Sequence, residues 1–328
     1  MTRIYDKQTP LLRIALWFLL FVAGKFCVTT ATAQTRDPLA DLKLPNTTIV
    51  SVETVAAGAF KPPAGTSVLP GTDPFKSLPA FRRVIGVIKP TSDSDIKFEV
   101  WFPIEGWNGN FRGIGNGGFA GGIGYGEMAY PLARGYAVAS TDTGHTNPAN
   151  GEEMWAVGHP EKVIDFAYRA IHEMTIKAKA IIKAQYGKAP KFSYFISCSN
   201  GGRQALMEAQ RYPQDFDGII AGAPAYDWVG AVAGSFLWNA QVLFGSPDTA
   251  IPSVMTPSVA AETKAQCAKT DGLDDGVIAD PARCDVRALK SQCPSGKDAN
   301  RLCLTTRQWS ALEAIYQGPH DSQGHQIY

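Results

Sequence analysis

The stretch Phe192-Ser193-Tyr194-Phe195-Ile196-Ser197-Cys198-Ser199-Asn200-Gly201-Gly202-Arg203-Gln204-Ala205-Leu206-Met207-Glu208-Ala209-Gln210-Arg211 decides how this chain is read. Its first five residues are apolar and β-prone, and its last nine suit a helix. Between them lies a run of small residues, Ser197 to Gly202. A serine on a sharp turn from strand to helix has its hydroxyl lifted above the sheet edge, where it can act as a nucleophile. Gly201 lacks a Cβ, so a helix can pass close behind such a turn. Ser199 is therefore the candidate nucleophile, and the reaction class is acyl transfer through a serine ester. Ser197 stands where such elbows usually carry glycine. The same letters also fit an ordinary βα loop or a cradle for a phosphate.

Elements on either side favour the first reading. Residues 81–89 and 96–101 alternate as two strands, with an antiparallel pair as one option. Short strands are expected at 111–115, 136–141, 191–197 and 216–221, and helices at 161–186 and 202–211. Ile164, Ile171, Met174, Ala178, Ile181 and Ile182 share one helical face. Strands alternating with helices predict a largely parallel, doubly wound α/β sheet. Beyond residue 225 the pattern changes. Residues 228–244 are apolar without clear period, and the chain after Pro247 is rich in Pro, Cys, Asp and Gly. This divides the chain into residues 1–33, a core of 34–225 and a lid-like part of 226–328.

Composition sets the outer limits. The 328 residues are 45% hydrophobic and 19% charged, which supports a large core, and the formal net charge is +1. No basic stripe is present, which argues against nucleic acid as a partner. Arg3 and Lys7 precede a run from Leu11 to Ala23 that is apolar but for Arg13, and Ala31-Thr32-Ala33 offers a small-x-small cleavage site. That order describes a secretory leader. Its apolar run is short for a stable membrane span, so the chain is expected to be secreted or periplasmic. Export permits disulfides. Cys198, Cys267, Cys284, Cys293 and Cys303 follow the leader, and the last four lie close enough in sequence to pair locally, leaving Cys198 over.

Three groups of residues could carry chemistry. The first is the oxyanion hole of an acyl-transfer site, which needs two main-chain N–H donors. One falls to the residue after the nucleophile, Asn200. The other falls to a glycine-rich loop after an earlier strand, and the run from Gly115 to Gly122 is such a loop. The second is a general base. Only His320 and His325 follow Ser199, both in a polar, turn-rich segment that reads as a solvated loop. His172 lies on the long helix and reads as structural, and His145 stands at the carboxyl end of a strand. The third is Asp271-Gly272-Leu273-Asp274-Asp275-Gly276-Val277. Its carboxylates and glycine turns suit Ca2+, yet Leu273 and Ala282 break the EF-hand pattern, and an acidic loop is the alternative.

The run from Ser197 to Pro213, continued from Asp215 to Ala225, resembles the signature of the tannase and feruloyl esterase family. Segments 116–121, 140–145 and 168–175 resemble further parts of it, and the likeness extends from about residue 45 to the end. It implies an α/β-hydrolase fold with a lid inserted before the catalytic acid, and it implies no organic cofactor. It implies Ser199 as nucleophile, with the amides of Gly118 and Asn200 as oxyanion donors. It implies disulfides Cys267–Cys284 and Cys293–Cys303, and a distant partner for Cys198 beside the catalytic histidine. It implies a lid Ca2+ held by side chains at 268, 271 and 275 and by the carbonyls of Leu273 and Val277. Here 268 is Ala, so Asp271 and Asp275 remain and Asp274 is the candidate replacement. The substrate class implied is a small aromatic ester, feruloyl or galloyl. Members of the family continue past the point where this sequence stops, so the acid and the base are expected outside it. The rival expectation is a non-catalytic chain that binds an aromatic ligand.

Overall fold

Burial alternates along residues 84–88, whereas residues 98–103 and 137–141 are buried on both faces of the sheet. In the computed structural model, residues 37–146, 154–269, 272–273, 275–285, 287, 289–294 and 303–327 are described, and the expected leader, residues 1–33, lies outside them. The strands are β1 (Thr47–Val55), β2 (Phe81–Ile88), β3 (Ile96–Pro103), β4 (Asn110–Gly113), β5 (Ala137–Thr141), β6 (Phe192–Cys198) and β7 (Gly218–Gly222). They form one sheet in the order β1-β2-β3-β5-β4-β6-β7. β1, β2, β3 and β5 pair antiparallel. β5, β4, β6 and β7 pair parallel. The parallel expectation thus holds for the half that carries Ser199. The other half is antiparallel, and its connections, residues 56–80 from β1 to β2 and 89–95 from β2 to β3, carry no crossover helix.

Helices cover the two faces. They are α1 (Tyr125–Leu132), α2 (Pro160–Ile164), α3 (Ala170–Tyr186), α4 (Asn200–Arg211), α5 (Gly234–Phe244), α6 (Thr256–Cys267) and α7 (Thr306–Gln317). Neighbouring residues on β3 serve opposite sides. Val100 packs with Met174, Ala178 and Ile181 of α3, whereas Trp101 packs with Met128 and Leu132 of α1. Each large apolar side chain so buried contributes roughly 1.5–3 kcal/mol. Gly187, at φ 70°, ends α3 in the left-handed conformation.

Two expectations about helices need correction. The helix expected over 161–186 is interrupted by a π-helical turn, Asp165–Arg169, between α2 and α3. That turn buries Asp165 and Phe166 and leaves Ile164 half-buried. Asp165 is held inside by Arg169, at 2.5 Å. The segment expected to be irregular, 228–244, is helical, with a π-helical turn at Trp228–Ala233 leading into α5. None of the side chains of α5 is fully buried, so no apolar stripe betrays its period.

Leu39–Tyr328 form one compact unit. Beyond β7, Met255, Val259, Leu289, Leu304, Trp309 and Leu312 make a separate small cluster. Disulfides Cys267–Cys284 and Cys293–Cys303 tie the loops around it. Among the described residues no helix is long and apolar enough to cross a membrane.

Candidate active site

Ser199 sits between β6 and α4 at φ 61°, ψ −124°. A positive φ is uncommon for a residue with a Cβ and costs on the order of 1–3 kcal/mol. The surroundings enforce it. The Ser199 N–H donates to the Gly222 carbonyl at 3.0 Å, and the Ser199 carbonyl accepts from Arg203 and Ala225 N–H groups at 3.1 Å each. Ser199 itself is exposed while Asn200, one residue on, is fully buried. Glycines make the bend possible. A Cβ on Gly202 would stand 2.3 Å from the Gly222 carbonyl oxygen, and one on Gly201 would stand 1.9 Å from Ser197 Oγ.

The glycine loop lies against this turn. A Cβ on Gly115 would stand 2.7 Å from Ser197 Oγ and 2.6 Å from Gln204 Oε1. Asn116 follows, buried, and its N–H donates to Gln204 Oε1 at 3.0 Å. Its Nδ2 donates to the carbonyls of Gly122 and Thr141 at 2.9 and 2.8 Å. Gly118 takes φ 54° and is exposed. The loop's far side is held by the turn after β5. The Gly121 N–H donates to the Asp142 carbonyl at 3.1 Å, and His145 Nε2 lies 2.7 Å from the Phe119 carbonyl. A cleft of about 390 Å³ opens along the loop, lined by Gly115, Asn116 and Gly117 and by Thr66, Ser67 and Glu127.

Behind the turn, Arg203 is buried and its described hydrogen bonds go to uncharged oxygens. It donates to Asn200 Oδ1 at 2.7 Å, the Ala167 carbonyl at 2.6 Å and the Phe166 carbonyl at 3.0 Å. Its guanidinium also stands over the rings of Phe166 and Trp228, at 4.8 and 5.8 Å. Burial pushes its pKa down to about 10, which leaves it charged at neutral pH. Phe119 meets Trp228 edge-on with centroids 5.2 Å apart, so an aromatic wall runs from the glycine loop to the segment after β7.

The histidines have varied surroundings. His145 is buried and stacks on Trp155 at 3.8 Å. His172 pairs with Asp215 at 2.6 Å and stacks on Tyr212. His159 pairs with Asp93 at 2.6 Å. His320 and His325 are exposed, with His325 Nδ1 3.1 Å from Asp321. Cys198 is a free, exposed thiol beside Ser199.

Of the acidic loop, Asp271 and Asp274 lie outside the described residues. Leu273 and Val277 are exposed. Asp275 Oδ1 accepts from the Val277 N–H at 2.9 Å, which is a turn closed on itself. Among the described residues no three His, Cys, Asp or Glu side chains are grouped to hold a metal ion.

Sequence reasoning missed Arg203 and Gln204, two bulky polar residues buried one turn into α4. The available signal was their place directly behind a double glycine.

The mixed sheet, the strained serine between β6 and α4 and the adjoining glycine loop define an α/β-hydrolase fold. The family model for tannase and feruloyl esterase matches residues 82–328. An uncharacterized esterase of Xanthomonas campestris pv. campestris is 43% identical over 97% of this chain and 53% of its own length. A probable feruloyl esterase B of Aspergillus clavatus is 31% identical over 96% of this chain and 60% of its own. The crystal structure of feruloyl esterase B from Aspergillus oryzae superposes with a TM-score of 0.73 at 30% identity, covering 88% of this chain and 56% of that one. The chain belongs to the tannase and feruloyl esterase family. It spans little more than half the length of these relatives.

Proposed function

We propose that this chain carries the nucleophile half of a serine carboxylesterase acting on small esters of aromatic acids, feruloyl or galloyl in type. The observation that carries the reading is Ser199, exposed at φ 61° on the turn into α4 with the glycine loop packed beside it. In the reaction Ser199 Oγ attacks the ester carbonyl. Its proton passes to a general base, the carbonyl oxygen becomes an oxyanion, and the alcohol leaves with a proton. Water then attacks the acyl-enzyme and releases the acid. The main-chain N–H groups of Asn200 and Gly118 are the proposed oxyanion donors, each commonly worth a factor of about 10² to 10³ in rate. The aromatic wall of Phe119 and Trp228 supports an aromatic acyl group. In the full-length protein, with acid and base present, hydrolysis of methyl ferulate or methyl gallate is expected, and it is lost in Ser199→Ala with folding intact. Equal turnover by Ser199→Ala refutes the proposal. Binding of the free aromatic acid without any turnover favours the ligand-binding alternative.

Two further parts belong to this reading. Export to a secreted or periplasmic location is supported by the leader pattern and by two disulfides, which persist in oxidising compartments. A Ca2+ at residues 271–277 would be held by Asp271, Asp275 and the carbonyls of Leu273 and Val277, and it would stiffen the loop between Cys267 and Cys284. Chelation is expected to lower the thermal midpoint by several degrees, with recovery on adding Ca2+. A midpoint indifferent to chelator and to Ca2+ speaks against it.

A further inference from the structure

We propose that Gln204 is a positioning residue that sets the register of the two oxyanion donors, by gripping Asn116 of the glycine loop. This rests on the serine-esterase reading above. The two donors come from segments far apart in sequence. Asn200 is the first residue of α4, and Gly118 belongs to a loop that follows β4. Their relative placement must hold to a fraction of an ångström for both to reach one oxygen.

Gln204 is the side chain that spans the gap. It is 1% exposed and lies one helical turn behind Asn200. Its Oε1 accepts from the Asn116 N–H at 3.0 Å, and its Nε2 donates to Asn116 Oδ1 at 3.1 Å. This paired grip joins residues 88 apart in sequence. Asn116 has its remaining donors engaged as well, on the carbonyls of Gly122 and Thr141. One asparagine therefore fixes both ends of the glycine loop, the end of β5 and, through Gln204, the elbow helix. Gly115 allows the approach, because a Cβ there would stand 2.6 Å from Gln204 Oε1. A buried amide pair of this kind has no solvent substitute, so losing one partner leaves the other unsatisfied. Arg203 grips the Asn200 side chain from the other side of the same turn. Of the two, only Gln204 reaches the glycine loop in the described hydrogen bonds.

The test uses the full-length protein, with acid and base present, and compares wild type, Gln204→Met and Gln204→Glu by amide hydrogen exchange and by the rate at which a fluorophosphonate labels Ser199. In Gln204→Met the Asn116 amide is expected to exchange at least tenfold faster, and labelling to slow at least tenfold, with the thermal midpoint within a few degrees of wild type. Gln204→Glu in its acid form can accept from the Asn116 N–H and donate to Asn116 Oδ1. At pH 5 it should restore both readouts to near the wild-type values at that pH. At pH 8 the carboxylate still accepts from the Asn116 N–H but has no proton for Asn116 Oδ1, so labelling should slow at least tenfold against wild type at that pH, and this pH comparison within one folded variant replaces Gln204→Met if the latter does not fold. In Gln204→Met, unchanged exchange at Asn116, or faster exchange with an unchanged labelling rate, overturns the proposal, as does Gln204→Glu labelling that keeps the same ratio to wild type at pH 5 and pH 8. If wild type is not labelled, the nucleophile reading fails, and Asn116 exchange still decides whether Gln204 fixes the loop.

Discussion

Ser197 shows how a single side chain decides which glycines are needed. It occupies a position where glycine is usual, and its hydroxyl fills the space between Gly115 and Gly201. A Cβ on either of those glycines would approach Ser197 Oγ to 2.7 or 1.9 Å. Overpacking of this kind costs about 1–3 kcal/mol. Gly201→Ala is therefore expected to destabilise by about 2–3 kcal/mol, measured by denaturant unfolding. Adding Ser197→Gly should recover most of that loss, because the next contact, with the Asn116 carbonyl oxygen at 3.3 Å, is tolerable. Strict additivity of the two changes would show that the clash lies elsewhere. At this scale the sequence was legible in part. Ser199 and the glycines announce the turn, but the alignment of Ser197 with both glycines depends on which way each Cβ points. The grip of Gln204 on Asn116 was hidden for the same reason, since nothing local links residues 88 apart.

The turn after β5 is the element that steadies the glycine loop, and its chemistry is pH-sensitive. Asp142 is buried. Its Oδ1 accepts from the Lys97 and Gly144 N–H groups at 2.9 Å each, and its Oδ2 is buried without a hydrogen-bond partner. Burial outweighs those two hydrogen bonds and pushes the carboxyl up to about 7. The folded chain thus binds more protons than the unfolded chain between pH 4 and 7. Stability falls as pH rises through that window, and the penalty is complete above 7. Asp142→Asn keeps the Oδ1 acceptor and removes the charge. Its stability relative to wild type is expected to rise from pH 4 to pH 8, by roughly 4 kcal/mol at most at 1.36 kcal/mol per unit. An unchanged difference across that range, followed by thermal unfolding in matched buffers, would remove Asp142 as the cause. Elements were legible where periodicity is strong, as in α3 and β2. The break at Asp165–Arg169 was not, because the sequence keeps its helical pattern through the wide turn while Arg169 and Arg203 hold it. α7 carried a readable start in Thr305 and Gln308, a reciprocal capping pair that apolar periodicity alone does not reveal.

Across the whole molecule, the parallel half of the sheet and the cluster beyond β7 answer to different physics. The first is held by large apolar side chains such as Phe111 and Phe195, packed in one core with α3. The second has a small core and relies on two disulfides, which typically contribute about 2–4 kcal/mol each. Large apolar side chains between them remain exposed, among them Tyr226, Val229, Leu237 and Phe244, each at least 70% accessible. An exposed helix of this sort has no inner face to set a period, which is why α5 could not be read in advance. The α/β plan and the elbow could be read because a nucleophile on a strand-to-helix turn needs a nearly fixed order of residue types.

The most direct test of the account is chemical labelling of the full-length protein, with acid and base present, by a fluorophosphonate, followed by peptide mapping. The account predicts one adduct, on Ser199, absent from the Ser199→Ala variant and from the unfolded chain. An adduct on a different serine of the folded chain, or equal labelling of folded and unfolded chains, would contradict it.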